Sequence, residues 1–535
     1  MSSSDKDLVL GTGALKPEDV AAAAATSCKV LPSPQGMERA DLSRSALAWA
    51  ARADIPIYGV NRGVGMARQV RIDDYREFAA LDEEERSRQF NRNLLLSHCR
   101  AIGQPIDRVE VRAAMIVRLN TLLAGGSGIS AEAIQLLLAM VNRSLSPIVP
   151  GTGSVGVGDL SSLSYIGAAM MGVGHIQIED GTVLPADEAL RRASLPILRP
   201  VGRDAMALMS SNALSAGQGC LLLEAARTVL AAGNITYAMS LEALNGNVAP
   251  LLEIAGITRP FMHYTDILAQ LRDILDGSYL WRPSPERYLQ DPLSFRTAPL
   301  MHAVCAESID RLGKNLSVQI NSIEDNPSIV TCRADDVSEH LRPYFGGGDD
   351  HLFGGAIPTA YFDPLPWVLD IQSMAVAFAH LSNASMQRAG RLINTHFTKI
   401  DMLARQPTAS AFGFAKICNV LQAQIAASLQ PLSTLVQPSA GDIEDVGNHA
   451  PTIVRRAAQA MDDVLRMLSV ELVVADSLIT ARRDDQPGLS LGRGSAELHQ
   501  SIRDLLSKSP DPRPGTAIDR IYDALKAGKL DNAQH

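Results

Sequence analysis

The side chains with the densest capacity for chemistry sit in two glycine-rich stretches. Residues 151–156 read GTGSVG, which fits the spacing GxGxxG. That spacing holds a dinucleotide only when a strand feeds it, a helix leaves it and an acidic side chain follows about 20 residues on. Glu179 and Asp180 are in range, but Pro147 and Pro150 stand immediately before the loop, and neither a feeding strand nor a βαβ rhythm is visible. Nucleotide binding is not expected, and no GxxxxGKS/T phosphate loop occurs. The second stretch, GGGDDHLFGG at 346–355, sets Asp349, Asp350 and His351 side by side. Three adjacent residues rarely converge on one ion without partners elsewhere, so a mobile polar loop is expected and a metal is not. There is no GxSxG elbow, and no serine–histidine–acid set can be read from spacing.

The elements that must position such groups are mostly helices. Residues 1–50 read as turn-rich text followed by a helix, and IPIYGVNRGVGMARQV after them is glycine-rich and poor in helix signals. Helical text returns over 84–145, and HIQIEDGTVL has the pattern of a hairpin. Beyond about 204 helices dominate. Ile371, Met374, Phe378 and Leu381 form one apolar stripe, and Ala457, Met461, Leu465, Leu468 and Leu472 form another. Pro366 and Pro451 suit the starts of these two helices. Three parts are expected: a loop-rich and helical N-terminal region over 1–205 carrying the active-site loops, a central bundle of long helices over 206–480, and a peripheral segment over 481–535. The fold class expected is mostly α.

Composition narrows the function. Apolar residues make up 46% and charged residues 20%, an ordinary globular balance, while aromatics are only 4%, which suits close-packed helices filled by alanine, leucine and methionine. The net charge of -9, with no basic tract, argues against a nucleic-acid partner. The six cysteines are scattered singly with no CxxC pair, which points to a reducing cytoplasm. The start lacks a basic stretch leading into an apolar run, and no segment approaches the roughly 20 apolar residues of a membrane span.

Several segments, in order, resemble the aromatic amino-acid ammonia-lyase family: YGVNRGVG at 58–65, NLLLSH at 93–98, VRAAMIVRLNTLLAGGSGI at 111–129 and PIVPGTGSVGVGDLSSLS at 147–164. SLEALNGN at 240–247, QDPLSFRTAP at 290–299, NSIEDNP at 321–327 and IEDVGN at 443–448 continue the series. The resemblance implies a mostly helical homotetramer whose active sites are each assembled from three subunits. It also implies an electrophile made by cyclisation of an internal Ala-Ser-Gly within GSVGASGDL. This chain reads GSVGVGDL there, so Val157, Gly158 and Asp159 form a degenerate electrophile loop without the serine that dehydrates. No cofactor is then expected. Without an electrophile to activate a free amine, the substrate must carry a nitrogen already primed to leave, such as a quaternary ammonium. The pattern is similar to that of relatives that split ergothioneine, the trimethylated 2-thio-histidine, into thiourocanate and trimethylamine. A conventional histidine or tyrosine ammonia-lyase or aminomutase, an enzyme acting on another aromatic betaine, and an inactive tetrameric scaffold remain the alternatives.

The resemblance also assigns roles. Tyr58 is the base that removes the β-proton, which requires help because a phenol starts near pKa 10. Arg62, where the family commonly has threonine, is a candidate to lower that pKa or to bind carboxylate. His98 is placed to hydrogen-bond a polar ring, and Arg296 to fork onto the substrate carboxylate. Gln290 matches a polar pocket residue. Leu293 replaces a tyrosine, and FGGAIPT at 353–359 falls where SGGNFHG is expected. Ser210 falls at the position of a family asparagine, with Asn212 two residues away as its substitute. Gln424, or Gln422, stands where the family has a glutamate near the amine. Lys399 is a pocket candidate, and Glu444 and Asp445 are possible partners for it or for a departing cation. The partner expected is a small zwitterionic substrate, with neither membrane nor nucleic acid.

Overall fold

The structure is a computed structural model that describes residues 7–348, 351–405, 413–509, 511 and 513–530. The chain divides into two compact units: one comprises Met1–Leu222, Gly313–Val368 and Leu432–Val454, the other Leu223–Leu312, Leu369–Pro431 and Arg455–His535. No helix among the described residues is long and apolar enough to cross a membrane.

In the first unit, helix Arg108–Leu122 starts at a capping box in which Asp107 and Glu110 each bond the other's backbone N–H, which satisfies donors that the first helical turn leaves open. Nearly every side chain from Val111 to Leu122 is buried, Arg118 included. Helix Glu83–His98 is capped by Asp82, carries three glutamates in its first turn and ends at His98, a charge order that complements the helix dipole. The hairpin expected at 175–185 is present, with His175–Gln177 antiparallel to Val183–Pro185.

Two expectations about the glycine stretches need correction. A short strand, Pro150–Thr152, does run into the GTGSVG stretch and takes in its first two residues, and helix Leu160–Met170 follows, but the strand pairs antiparallel with Ile102–Pro105, so no βαβ unit forms. The described residues of the GGGDDHLFGG segment, 346–348 and 351–355, lie mostly in strands rather than in a polar loop. Leu352–Ile357 is the central strand of a three-stranded sheet, paired with Ser328–Arg333 and Phe345–Gly347. Its glycines let helix Pro34–Arg52 approach closely: a Cβ on Gly354 would strike the Ala46 backbone, and one on Gly348 the Trp49 ring. Ala46, Leu47, Trp49 and Ala50 bury against Ile57, Ile329 and Ala356 there. Asp349 and Asp350 lie outside the described residues, and His351 is exposed. Among the described residues no group of three histidine, cysteine, aspartate or glutamate side chains is arranged to hold a metal ion.

The second unit is built from long helices. Ile371, Met374, Phe378 and Leu381 are fully buried on helix Leu365–Leu392, and the stripe from Ala457 to Leu472 is buried on helix Ala450–Asp485. These two helices are tied by a fork: Arg388 donates to both carboxylate oxygens of Glu471 at 2.6 and 2.9 Å, with both side chains fully buried. Residues beyond 481 add amphipathic helices Arg493–Ser507 and Pro514–Lys526, which bury Ile502, Ile521 and Leu525.

Candidate active site

Tyr58 sits in a loop that its own motif shapes. The Asn61 side chain accepts from the Ile57 N–H at 2.7 Å and donates to the Ile55 carbonyl at 2.8 Å, closing the turn. Gly59 has a φ of +74° and lies against Met206, where any Cβ would collide. The half-buried phenol accepts a 2.9 Å hydrogen bond from the Gly65 N–H. Burial pushes the phenol above its ordinary pKa of 10; the Gly65 bond opposes the rise, Glu444 adds to it, and the cation that lowers it is Arg68. Arg62 meets Tyr58 through a backbone bridge, and its guanidinium donates to the Asn61 carbonyl at 3.1 Å.

His98, half-buried, bonds the Leu94 carbonyl through Nδ1 at 2.8 Å. A carbonyl only accepts, so Nδ1 carries the hydrogen and Nε2 is left as an acceptor in the neutral ring. Burial lowers the His98 pKa, the Leu94 bond opposes, Arg100 lowers it further and Glu444 raises it. One carboxylate, Glu444, thus acts on both Tyr58 and His98. The turn that carries it is closed by paired Ser439 and Glu444 backbones and by the Ser439 hydroxyl on the Glu444 carboxylate at 2.8 Å. Ala440 and Gly441 pack on Gly65 and Met66, so the turn rests on the same glycine that bonds the phenol.

The segment continuing from that turn also grips the degenerate electrophile loop. The Asn448 and His449 N–H groups both donate to the Val155 carbonyl, at 3.1 and 2.8 Å. Gly156, with a φ of +92°, leaves no room for a Cβ beside Asn448. Below, the Gly158 N–H donates to Asn212 Oδ1 at 2.7 Å, and the Asp159 N–H donates to the Ser211 carbonyl at 2.6 Å. Asn212, rather than Ser210, is therefore the side chain brought to the loop, while Ser210 is buried at the end of helix Asp204–Met209. Fully buried Asp159 accepts from Ser154 and from both the N–H and hydroxyl of Ser215, yet burial still pushes its pKa up to about 6.

The chain does not fit the family's cyclised electrophile. Cyclisation needs a serine between an alanine and the glycine; Val157 stands in that place, and the one hydroxyl in 153–159, on Ser154, is bonded to Asp159 and the Gly158 carbonyl.

Beneath this loop lies a polar cluster that the motif NSIEDNP supplies and that carried no role in the sequence reading. Glu324 Oε2 accepts from the Ser211 hydroxyl at 3.1 Å and the Asn212 N–H at 2.7 Å, and its Oε1 is buried without a partner. Burial drives its pKa up to about 7. Asp325 Oδ1 is shared by Arg118 at 3.0 Å and Arg203 at 2.9 Å, all three side chains being buried. The sequence offers two adjacent acids among Asn321, Ser322, Asn326 and Ser328, which read as surface polar text, so nothing local marks the pair as buried.

In the second unit, Arg296 ends the short helix Leu293–Arg296 and donates through Nε to the Asp291 carbonyl at 2.8 Å, which leaves its terminal nitrogens unbonded among the described residues. Arg388 steadies that turn by donating to the Ser294 carbonyl at 3.2 Å. Gln290 and Leu293 are exposed. Lys399, exposed and with a φ of +60°, bonds the Tyr288 hydroxyl and the His396 carbonyl and lies 4.8 Å from the Tyr288 ring centre. Gln424 is exposed on helix Phe414–Ser428, whereas Gln422 accepts from Ser382 at 3.0 Å. The carboxylate acting on Tyr58 and His98 is Glu444, at some distance in sequence from either glutamine.

The model of the aromatic amino acid lyase family matches residues 15–504. Among curated relatives, the histidine ammonia-lyase of Myxococcus xanthus is 29% identical over 96% of this chain and 94% of its own length; that of Caldanaerobacter subterraneus subsp. tengcongensis is 25% identical over 98% of each. Among solved structures, ergothionase from Treponema denticola, in complex with desmethyl-ergothioneine sulfonic acid, superposes with a TM-score of 0.87 at 28% identity, covering 98% of this chain and 100% of that one. Histidine ammonia-lyase from Trypanosoma cruzi gives 0.83 at 21% identity, covering 99% and 95%, a likeness of fold. The fold is the mostly α one with a central helix bundle found throughout these proteins. With the family model matched over most of its length, the chain belongs to the aromatic amino acid lyase family.

Proposed function

We propose that this protein splits ergothioneine into thiourocanate and trimethylamine by a 1,2-elimination that needs no electrophilic prosthetic group. The coarser part follows from the family: the chain is a carbon–nitrogen lyase for an aromatic, zwitterionic substrate. The observation that carries the finer reading is the loop at 153–159, held by Asn212, Ser215 and Asn448 while Val157 replaces the serine that would cyclise. A loop kept in shape without its electrophile suits a leaving group that departs unaided. The likeness to ergothionase at 28% identity over nearly the whole chain supports the same reading.

In this reading Tyr58 takes the proton from Cβ. The C–H electron pair becomes the second bond between Cα and Cβ, the Cα–N bond breaks, and trimethylamine leaves with the Cα–N bonding pair. His98 Nε2 orients the thioimidazole ring, and in the assembled oligomer an Arg296 holds the carboxylate. Glu444, which acts on both Tyr58 and His98, supplies the fixed anion for the trimethylammonium, which has no N–H and responds to charge rather than to hydrogen-bond acceptors. The working form is a homotetramer.

The test is an assay of the purified protein with ergothioneine, its sulfur-free betaine and histidine, following trimethylamine, ammonia and the unsaturated acid. Trimethylamine released from ergothioneine in step with thiourocanate supports the proposal. Ammonia from histidine with no product from either betaine overturns it.

A further inference from the structure

The second unit contains a cavity of about 310 Å³ that takes no part in the chemistry above. Its charged lining is three guanidinium groups, Arg282, Arg287 and Arg482, against a single carboxylate, Glu286. None of the three arginines forms an ion pair within 4 Å among the described residues; the acceptors they do have are neutral. Arg482 donates to the carbonyls of Ala243, Leu244 and Thr398 at 2.7–3.0 Å, finishing the helix that ends at Leu244. Arg287 donates to the carbonyls of Leu280 and Arg282 and to Asn245 Oδ1. Capping of a helix end accounts for those bonds, but not for what is left over.

Four sets of donors remain. The Arg282 side chain has no hydrogen bond among the described residues, and Arg482 Nη1 has none either. Arg287 Nε and Ser490 Oγ are both buried without a partner. Orphaned buried donors are uncommon in folded proteins, because a donor taken from water and left unmet destabilises the fold. Arg482 is mostly buried, and this burial depresses its pKa, although Tyr279, Glu286 and Asp485 oppose the shift. A mostly buried Arg482 beside partly buried Arg287, exposed Arg282 and unmet N–H and O–H donors gives the ingredients of an oxyanion site, since guanidinium forks match tetrahedral and planar oxyanions.

From this geometry we infer a second binding site, in the cavity between Asn245, Arg282, Arg287, Arg482 and Ser490, for a dianionic phosphate group, free or carried as a phosphomonoester. Three guanidinium groups against one carboxylate favour two negative charges over one, and the volume exceeds that of a bare phosphate. The site stands apart from the elimination reading and survives its failure.

Isothermal titration of the full-length protein with inorganic phosphate, at ionic strength held with potassium chloride, is the test; glucose 6-phosphate forms the second arm. One saturable site per chain is expected. Binding should weaken at least tenfold in Arg282→Gln and in Ser490→Ala, neither of which removes a bond that the fold uses, and should persist in Arg296→Gln. Tighter binding of the ester identifies a phosphorylated metabolite as the ligand, and equal or weaker binding identifies free phosphate; both support the site. Absence of saturation by about 10 mM of both probes (on the order of −3 kcal/mol), unchanged affinity in both cavity variants, or loss of binding in Arg296→Gln alone overturns it.

Discussion

At the scale of the residue, Tyr58 and Glu444 make a linked pair of expectations. Tyr58→Phe keeps the ring in its loop and removes the base, so kcat should fall by about 10²–10⁴ while the melting temperature holds. The phenol lies above its ordinary pKa, chiefly through burial and with Glu444 contributing. On the proposed mechanism the active base is the phenolate, so kcat/KM should climb with pH across the neutral and alkaline range. Glu444→Gln removes a negative charge that resists ionisation, and the alkaline limb of that profile should move to lower pH. The same change should raise KM for a trimethylammonium substrate, because the fixed anion is gone. A profile that does not shift would separate Glu444 from the tyrosine. Glu324 gives a stability expectation with a definite sign. Its folded pKa is pushed up to about 7 from an ordinary 4.5, so the folded state keeps a proton that the unfolded chain gives up. That contribution is whole below about pH 4.5 and is lost as pH rises to about 7. It is worth on the order of 3 kcal/mol at 1.36 kcal/mol per pH unit. Glu324→Gln, which keeps an amide in place of the neutral acid, should flatten this part of the decline in melting temperature.

At the scale of the element, the long helices were legible because their stripes repeat at three- and four-residue spacing, as at Ile371 to Leu381. The motif loops were legible as loops because glycine marks them. What the chain does not display locally is closure over distance. Asn212 meets Gly158 across 54 residues and Glu324 meets Asn212 across 112, and nothing near Asn212 distinguishes it from Ser210 until both partners are in place. Glu444 was ambiguous for the same reason: its turn acquires meaning only when Ala440 and Gly441 rest on Gly65 and Met66. The glycines at 346–355 misled because glycine serves both flexible loops and close helix–strand contact, and sequence alone does not tell them apart. The Arg388–Glu471 fork was also silent, being one arginine and one glutamate 83 residues apart on buried helix faces. It carries its own expectation. Glu471→Gln leaves a buried guanidinium without its counter-charge and should cost about 3–5 kcal/mol in chemical denaturation. An Arg388→Met and Glu471→Leu double variant, with neither charge left buried, should recover much of that loss. Since Arg388 also holds the Ser294 carbonyl in the turn that ends at Arg296, the double variant should still show a raised KM. Recovery of stability without recovery of KM would mark Arg388 as a positioning residue.

At the scale of the whole molecule, apolar side chains exposed on single helices are the surface that the proposed homotetramer would cover. Leu369 is 50% exposed and Val376 42% exposed on helix Leu365–Leu392, while Ile417 and Val420 are exposed one helical turn apart on helix Phe414–Ser428. Isolated exposed leucines and valines are ordinary, but rows of them along helices that otherwise alternate buried and solvated faces are what a subunit interface leaves behind when its partner is taken away. A homotetramer predicts a solution mass of roughly four times the 57.3 kDa chain in sedimentation or light scattering. Val376→Glu and Val420→Asp place a charge on these rows and should shift the mass to smaller species, with the helical circular dichroism signal kept, since neither side chain belongs to the buried core. If active sites draw on several subunits, both variants should also lose turnover, and the activity that remains should rise with protein concentration. Smaller species with full, concentration-independent turnover would place every catalytic group within one chain and leave the apolar rows as a purely structural interface.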